Sequence, residues 1–600
     1  MKTQSILFLL LCSFFCSAQT KVTFVLEDLP AHQYQNVGIR GSLSPLSWYQ
    51  SIPLARNGNT YSLTLDFGQN MTDLEYKFVI FDTDDQVEYE RLDNRVLKLK
   101  GQAVVKSNNQ WNVKPAIDPG SIPKITAKRL LADYRLIEQM VLRVHPGTYR
   151  YNSQASVLSQ LQNLKTYLAS PRSHAEAYLA ISKMLASLKC GNTTASLYKQ
   201  NKKVSSIIHA QKDKLPFTFR WVEGRMFVTN DATDQKALKK GTEILQINNY
   251  PVNLIKEKVE KHISTDGDNE GNRLAQMDVR GYNFDYDAFD VFYPLLFPNE
   301  NSKITLSIQS GKSIKTVTVN PQTRSQRNRV LQSRYEGFPK SPDDLWNHAI
   351  IDDNVGIVQV SSFQLDKMQQ NWRMILDDAF DNFVNEDVGN VIIDLRENAN
   401  MDQAIIDELL KYLVKYQYKP SGLEGRSRYV NLPTDLRPYI TSNEKTPWYF
   451  SLNPSRTGEA YYVFNDAIDS KAVSPDTQKS YGGAIYLLVG PRNSANTFYF
   501  ARTAQRHQLA TIAGQETGGS MKGINSGQTL YLNLPNSGIV INFPIWGSFA
   551  SEKQPSHGVM PDYYVEPKLS DLPYLIDTEV EAILNLIEKR VQSSGKVIKP

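Results

Sequence analysis

Along residues 20–115 apolar and polar positions alternate with a period of two, broken by turn signals such as Arg56-Asn57-Gly58-Asn59. Successive side chains of a strand point to opposite faces, so this period predicts a β-sandwich over residues 19–117. From about residue 126 the period changes to that of a helix. Leu130, Tyr134, Ile137, Val141 and Val144 fall on one face, as do Tyr178, Ile181, Leu185 and Leu188, which predicts a small helical domain over residues 120–200. Strand patterns return over residues 201–325, at Phe217–Trp221, Met226–Thr229, Ile244–Ile247 and Ile304–Ile308.

After about residue 340 strands alternate with helices. Val355–Val360 is followed by a helix that turns Met368, Trp372, Ile375, Ala379 and Phe383 inward, then by the apolar run Val391–Leu395. The pattern repeats with a helix over 402–416, a strand at Ile485–Val489, a helix over 497–506 and a strand at Ala510–Ala513. Such alternation builds a mostly parallel sheet covered by helices. A hairpin turning at Pro535-Asn536-Ser537-Gly538 follows. The expected class is therefore multidomain α+β, ending in an α/β domain over residues 340–600.

A chain of 600 residues, 41% apolar and 22% charged, suits several packed domains and excludes a disordered, collagenous or coiled-coil protein. The formal charge of +5 is spread without runs of like sign, so no nucleic-acid partner is expected. Lys2, the apolar run Ile6–Phe15 and the small residues Ser17 and Ala18 read as a secretory signal over residues 1–18. The run is too short to span a bilayer, and neither Cys12 nor Cys16 follows the small residue that a lipid-modified cysteine requires. Export to the periplasm or the outside of the cell is expected, with Cys190 the only cysteine of the mature chain. The eight histidines lack metal-ligand spacing and no P-loop occurs, so neither a metal nor another cofactor is expected. Asn192-Thr193-Thr194 satisfies the N-glycosylation pattern but is treated as chance.

In open α/β sheets reacting groups gather at the carboxyl ends of the strands, which directs attention to three loops. They read Asp394-Leu395-Arg396-Glu397-Asn398-Ala399-Asn400-Met401, Gly490-Pro491-Arg492-Asn493-Ser494-Ala495-Asn496-Thr497-Phe498-Tyr499-Phe500-Ala501, and Gly514-Gln515-Glu516-Thr517-Gly518-Gly519. A serine at a helix start lies near backbone N–H donors and suits either a nucleophile or a cap, and spacing favours the cap for Ser494.

These loops, with Pro561-Asp562, resemble the tail-specific, or C-terminal-processing, serine peptidase family in its tricorn-like secreted branch. His145-Pro146-Gly147-Thr148-Tyr149 is similar to a segment of related secreted members, and a structural turn is expected of His145. The stretch Leu238-Lys239-Lys240-Gly241-Thr242-Glu243-Ile244-Leu245-Gln246-Ile247-Asn248-Asn249 resembles PDZ domains, which add a peptide to a sheet edge. Residues 201–325 are thus expected to be PDZ-like, with a polar insert around Asp266–Arg280 that departs from the compact form.

The resemblance also exposes what is missing. Ala495 stands at the position matching the nucleophile, Asn192 at that of the histidine base, and Asn400 and Met401 in glycine slots beside the oxyanion. An alanine cannot attack a carbonyl, and a carboxamide cannot take a proton as an imidazole does. The expectation is a protein that keeps the peptidase shape, binds peptide or unfolded polypeptide, and has lost most or all catalysis. The alternative is an active serine endopeptidase using Ser494 with Lys522 as base, since another branch of the family pairs serine with lysine.

Finally, Val37-Gly38-Ile39-Arg40-Gly41-Ser42, Trp48, Tyr76-Lys77-Phe78-Val79-Ile80 and Glu90–Arg95 resemble starch-binding carbohydrate modules. Trp48 and Tyr89 would then stack on sugar rings, with polysaccharide as a second candidate ligand and a carbohydrate-binding secreted protein as a further reading. The other role open to both residues is packing of the sandwich.

Overall fold

The computed structural model describes residues 20–27, 36–57, 60–68, 73–81, 87–90, 94–99, 104–110, 123–209, 214–299, 301–352, 354–361, 365, 368–420, 423–442, 455–457, 461–464, 472–550, 552–568 and 577–594. The expected signal at 1–18 lies outside them. The chain forms two compact units, Met1–Ile117 and Asp118–Pro600.

In the first unit, Thr20–Glu27 lies between the antiparallel Thr60–Phe67 and the parallel Val104–Gln110, while Asn36–Gly41 pairs with Asp73–Phe81 in a second sheet. The period of two does what it predicts. Val22, Phe24 and Leu26 from one sheet meet Val37, Ile39, Leu74, Tyr76 and Phe78 from the other in one apolar core. Phe24 packs edge-on against Phe67 and Tyr76 there. Glu90 and Arg95 are fully buried but pair bidentately at 2.6 and 2.8 Å, which satisfies charges that would otherwise be costly to desolvate.

In the second unit, helices Ala127–Gln139, Gln154–Leu168 and His174–Ala186 come first. Ser173 and Glu176 close a capping box at the start of the third. Their inward faces share a continuous core with an antiparallel sheet in the order Phe217–Val222, Arg225–Asp231, Glu243–Ile247, Ile304–Ser310, Ser313–Val319, and with the 527–550 hairpin. Asp133 of the first helix accepts from the Asn536 and Ser537 amides at 3.1 and 2.7 Å, fixing the hairpin turn to that helix.

The polar insert takes a definite place. The outer edge of Phe217–Val222 is met by the insert's end, with Phe219 and Val279 exchanging backbone hydrogen bonds at 3.1 Å in both directions. Trp221 N donates to the Asp278 carboxylate at 2.8 Å and its indole N–H to Met277 O at 3.2 Å. The chain therefore adds its own segment at an edge where a guest strand would otherwise pair.

The last sheet runs Trp346–Asp352, Val355–Val360, Asn390–Asp394, Ala484–Val489, Thr511–Gly514, Tyr563–Tyr564; the first pair is antiparallel and the others parallel. Its central strands, Asn390–Asp394 and Ala484–Val489, are buried on both faces, as uninterrupted apolar runs require. Val391, Ile393, Leu487 and Val489 face helices Trp372–Asn385, Gln403–Leu413 and Ala495–Arg506, whereas Ile392, Tyr486 and Leu488 face helix Thr578–Ser594. This arrangement brings the loops after Asp394, Val489 and Gly514 to one end of the sheet.

Candidate active-site cleft

Arg396 anchors the first loop. It forms a fork onto Asp394 at 3.0 and 2.7 Å and reaches Asp577 and Glu579 at the start of the last helix at 2.7–2.8 Å. In the second loop, buried Asn493 donates to Leu395 O at 2.6 Å and Asn398 O at 2.7 Å and accepts from Gly490 N at 2.7 Å. One carboxamide thereby locks the two loops together. The third loop is held by Thr517, which exchanges backbone and side-chain hydrogen bonds with Val559 at 3.1 and 2.9 Å. At Gly519, with φ of +85°, a Cβ would lie 2.6 Å from the Phe498 ring, so glycine permits this loop to rest on the 495–506 helix.

Between these supports lies the turn from strand to helix. Ser494 is extended, with φ of −122°, and both its amide and its hydroxyl donate to Ala399 O at 3.0 Å. Ala495 is buried and left-handed, with φ of +47°. That conformation is uncommon for a residue with a Cβ.

The neighbouring amides are occupied. Asn496 N donates to the exposed Asn400 side-chain oxygen at 3.2 Å, and Asn496 returns a bond to Met401 O at 3.1 Å. Met401 N donates to Thr497 Oγ1 at 2.8 Å, and that hydroxyl donates to Asn398 Oδ1 at 2.9 Å. The Met401 side chain is buried in the apolar core. Asn400 and Met401 thus fill their surroundings, one with an acceptor and the other with hydrocarbon.

Asn192 donates to Asn525 O at 2.9 Å, and the preceding Ile524 N donates to the Tyr499 hydroxyl at 3.3 Å, one turn along the helix from Ala495. Around Asn192, Gly191 N donates to buried Asp266 at 3.1 Å, and Arg150 donates to Asn525 Oδ1 at 2.8 Å. Burial pushes the Asp266 carboxyl up to about 6, against the pull of the Gly191 amide and Arg150. His145 is enclosed in the same region: Gly147 N donates to its Nδ1, which puts the proton on Nε2, 2.8 Å from Thr193 Oγ1. Thr193 in turn donates to Cys190 Sγ at 3.2 Å. Burial lowers His145 to about 3 and raises the Cys190 thiol to about 11, so both are neutral groups of the framework.

Lys522 points its ammonium over the Tyr151 ring, 5.7 Å from the centroid. Ser494 and Lys522 share no hydrogen bond among the described residues. In the first unit, Trp48 and Tyr89 are brought together: Arg40 Nη1 donates to Trp48 O and to the Tyr89 hydroxyl, each at 3.0 Å, and both residues are half-buried. Tyr49 beside them is 91% exposed.

A cavity of about 480 Å³ lies between the 403–413 and 495–506 helices and the 527–550 hairpin, lined among others by Ile406, Tyr418, Asn496, Phe500 and Trp546. Residue patterns gave no sign of it. Asn493 and Thr497 were likewise visible only as polar loop residues, although a polar side chain between a buried strand and a buried helix face must find internal partners. Among the described residues no three His, Cys, Asp or Glu side chains are placed to hold a metal, and no helix is long and apolar enough to cross a membrane.

Residues 354–565 match the family model of peptidase family S41, and residues 19–109 match that of the starch binding domain. No curated protein matches the chain. Among solved structures, mature CPAF complexed with lactacystin is 14% identical over 78% of this chain and 98% of that one, with a TM-score of 0.52, a likeness of fold. The photosystem II D1 C-terminal processing protease is 13% identical over 76% and 95% of the two chains, with a TM-score of 0.37.

Proposed function

We propose that this chain, a starch-binding domain joined to a peptidase family S41 domain, is an exported protein that binds peptide segments and has lost the groups needed to hydrolyse them. The observation that carries this reading is the turn at 494–495. Strand-to-helix turns that present a nucleophile hold it in a strained conformation at the apex. Here the apex residue, left-handed at φ +47°, is Ala495, while the Ser494 hydroxyl is spent on Ala399 O.

The rest of the site supports the same reading. The Asn192 amide nitrogen is a donor already engaged with Asn525 O and has no lone pair to take a proton. The Asn496 and Met401 amides, which would face a developing oxyanion, are satisfied by Asn400 and Thr497. Oxyanion stabilisation requires donors left free for the transition state. Loss of a nucleophile or base costs on the order of 10⁴–10⁶ in rate in serine proteases. Lys522 is directed at Tyr151, which weighs against the Ser494–Lys522 alternative.

The purified chain should neither cleave unfolded polypeptide nor be labelled by a fluorophosphonate, and Ser494→Ala should change neither result. The triple variant Ala495→Ser, Asn192→His, Asn400→Gly should gain labelling at residue 495. Labelling of Ser494 in the native chain with turnover would overturn the proposal.

A glycan-binding role for the first unit is favoured by the Arg40 brace, which ties the Trp48 carbonyl to the Tyr89 hydroxyl while both aromatic residues stay partly exposed. Sugar rings stack on such surfaces. The apolar run behind Lys2 supports export.

A further inference from the structure

The cavity beside the 494–495 turn has more specific chemistry than a general cleft. Asn496, the residue after Ala495, forms part of its wall, so a peptide crossing the turn passes its mouth. Part of its lining is aromatic. The Trp546 indole lies flat on the backbone at Gly527, where an added Cβ would stand 2.0 Å from Trp546 Cε2. Only glycine lets the ring cross the 527–533 strand there. Tyr418 and Phe500 supply further rings, and Ile406 and Leu410 supply hydrocarbon. A volume of about 480 Å³ is in the range of pockets that enclose a bulky group.

Charge at the rim is also uneven. Arg506, at the end of the 495–506 helix, is exposed and has no hydrogen-bond or ion-pair partner among the described residues. Asp407 across the rim is already held by Gln403 at 2.9 Å.

We propose that this cavity is the side-chain pocket of the peptide site, and that it takes an aromatic residue whose neighbour carries a carboxylate. The proposal rests on the reading of the cleft as a peptide site. The aromatic ring would enter among Trp546, Tyr418 and Phe500, where ring pairs add to simple burial. The neighbouring carboxylate would remain at the rim with Arg506, where a solvent-exposed pair contributes little to affinity and more to selection.

The test uses the full chain and fluorescein-labelled Gly/Ser heptapeptides whose central pair is Phe-Glu, Ala-Glu or Phe-Gln, with binding read by anisotropy. The Phe-Glu peptide should bind about tenfold or more tightly than Ala-Glu, and about threefold more tightly than Phe-Gln. Trp546→Ala should abolish the preference for Phe. Arg506→Ala, at an exposed position that leaves the fold intact, should abolish only the preference for Glu. Equal binding of all three peptides, or a Phe preference that survives Trp546→Ala, would overturn the pocket and leave the peptide-binding reading standing. Absence of binding by every peptide would overturn both.

Discussion

Arg40 and Asn493 each tie a short stretch of chain together, in two regions of the molecule, with opposite results. Arg40 grips the Trp48 carbonyl, Ser51 and the Tyr89 hydroxyl, and Trp48 and Tyr89 stay partly exposed. Asn493 grips Leu395 O, Asn398 O and Gly490 N, and around it Asn398, Asn400 and Thr497 turn their polar atoms onto the protein itself. In the first region a brace leaves half-buried aromatic residues at the surface. In the second the polar groups of the loop cluster satisfy one another. A buried polar group left for a transition state is a standing cost, and a group satisfied internally is not. A site released from catalysis can therefore gain stability by closing its own hydrogen bonds.

The largest effect expected from that contrast is at Asn493. Asn493→Ala removes three hydrogen bonds of 2.6–2.7 Å in a fully buried place and strips the Gly490 amide of its acceptor, while Leu395 O keeps the Asn398 amide at 2.8 Å. A loss of about 4 kcal/mol follows, measurable as a fall in the urea midpoint. A loss below about 1 kcal/mol would mean the loops are held by other contacts and the contrast with Arg40 is wrong.

Asp266 offers the next largest effect, and it depends on pH. Its folded pKa of about 6 lies above the ordinary aspartate value, so the folded state holds the proton more tightly than the unfolded one. The associated stability is fully present below about pH 4 and is lost as pH rises through about 6. The gap corresponds to roughly 3 kcal/mol. Asp266→Asn keeps an acceptor for Gly191 N and has no charge to bury. Its unfolding free energy should exceed that of the native chain by roughly that amount at pH 8, and the difference should vanish near pH 4. A pH-independent difference would place the effect in packing.

For the first unit, Trp48→Ala should reduce retention of the full chain on insoluble starch by tenfold or more, on the order of 2 kcal/mol for a large aromatic contact. Tyr49→Ala should have a smaller effect, because a ring 91% exposed is ordered on binding only at an entropic cost. Unchanged retention in both variants would reduce Trp48 to packing.

Much of this architecture was legible because burial leaves simple patterns. Val391–Ile393 and Ile485–Val489 are apolar without interruption because both faces of the sheet are covered, and Trp372, Ala379 and Phe383 repeat because one helix face is. The loops after Asp394, Val489 and Gly514 were found by the same logic. What escaped notice depends on partners far along the chain. The carbonyls bound by Asn493 lie 95 and 98 positions away, and the edge of Phe217–Val222 is closed by residue 279. No local period encodes such pairings. The Trp546 platform depends on a missing side chain at Gly527, which sequence shows only as one more glycine in a strand.

The smallest effect bears most directly on the register of the turn. Ala495 holds φ at +47°, which costs an L-residue roughly 1–2 kcal/mol, whereas Ser494 at −122° is unstrained. Glycine relieves the strain but adds backbone freedom to the unfolded chain, worth about 0.5–1 kcal/mol in the other direction. Ala495→Gly should therefore stabilise by up to about 1 kcal/mol, and Ser494→Gly should destabilise by at least as much, since it also discards the bond to Ala399 O. Opposite signs for adjacent substitutions to the same residue isolate backbone strain from packing. If both variants lose stability equally, the left-handed apex is not at 495, and the assignment of the vacant nucleophile position to a methyl group fails with it.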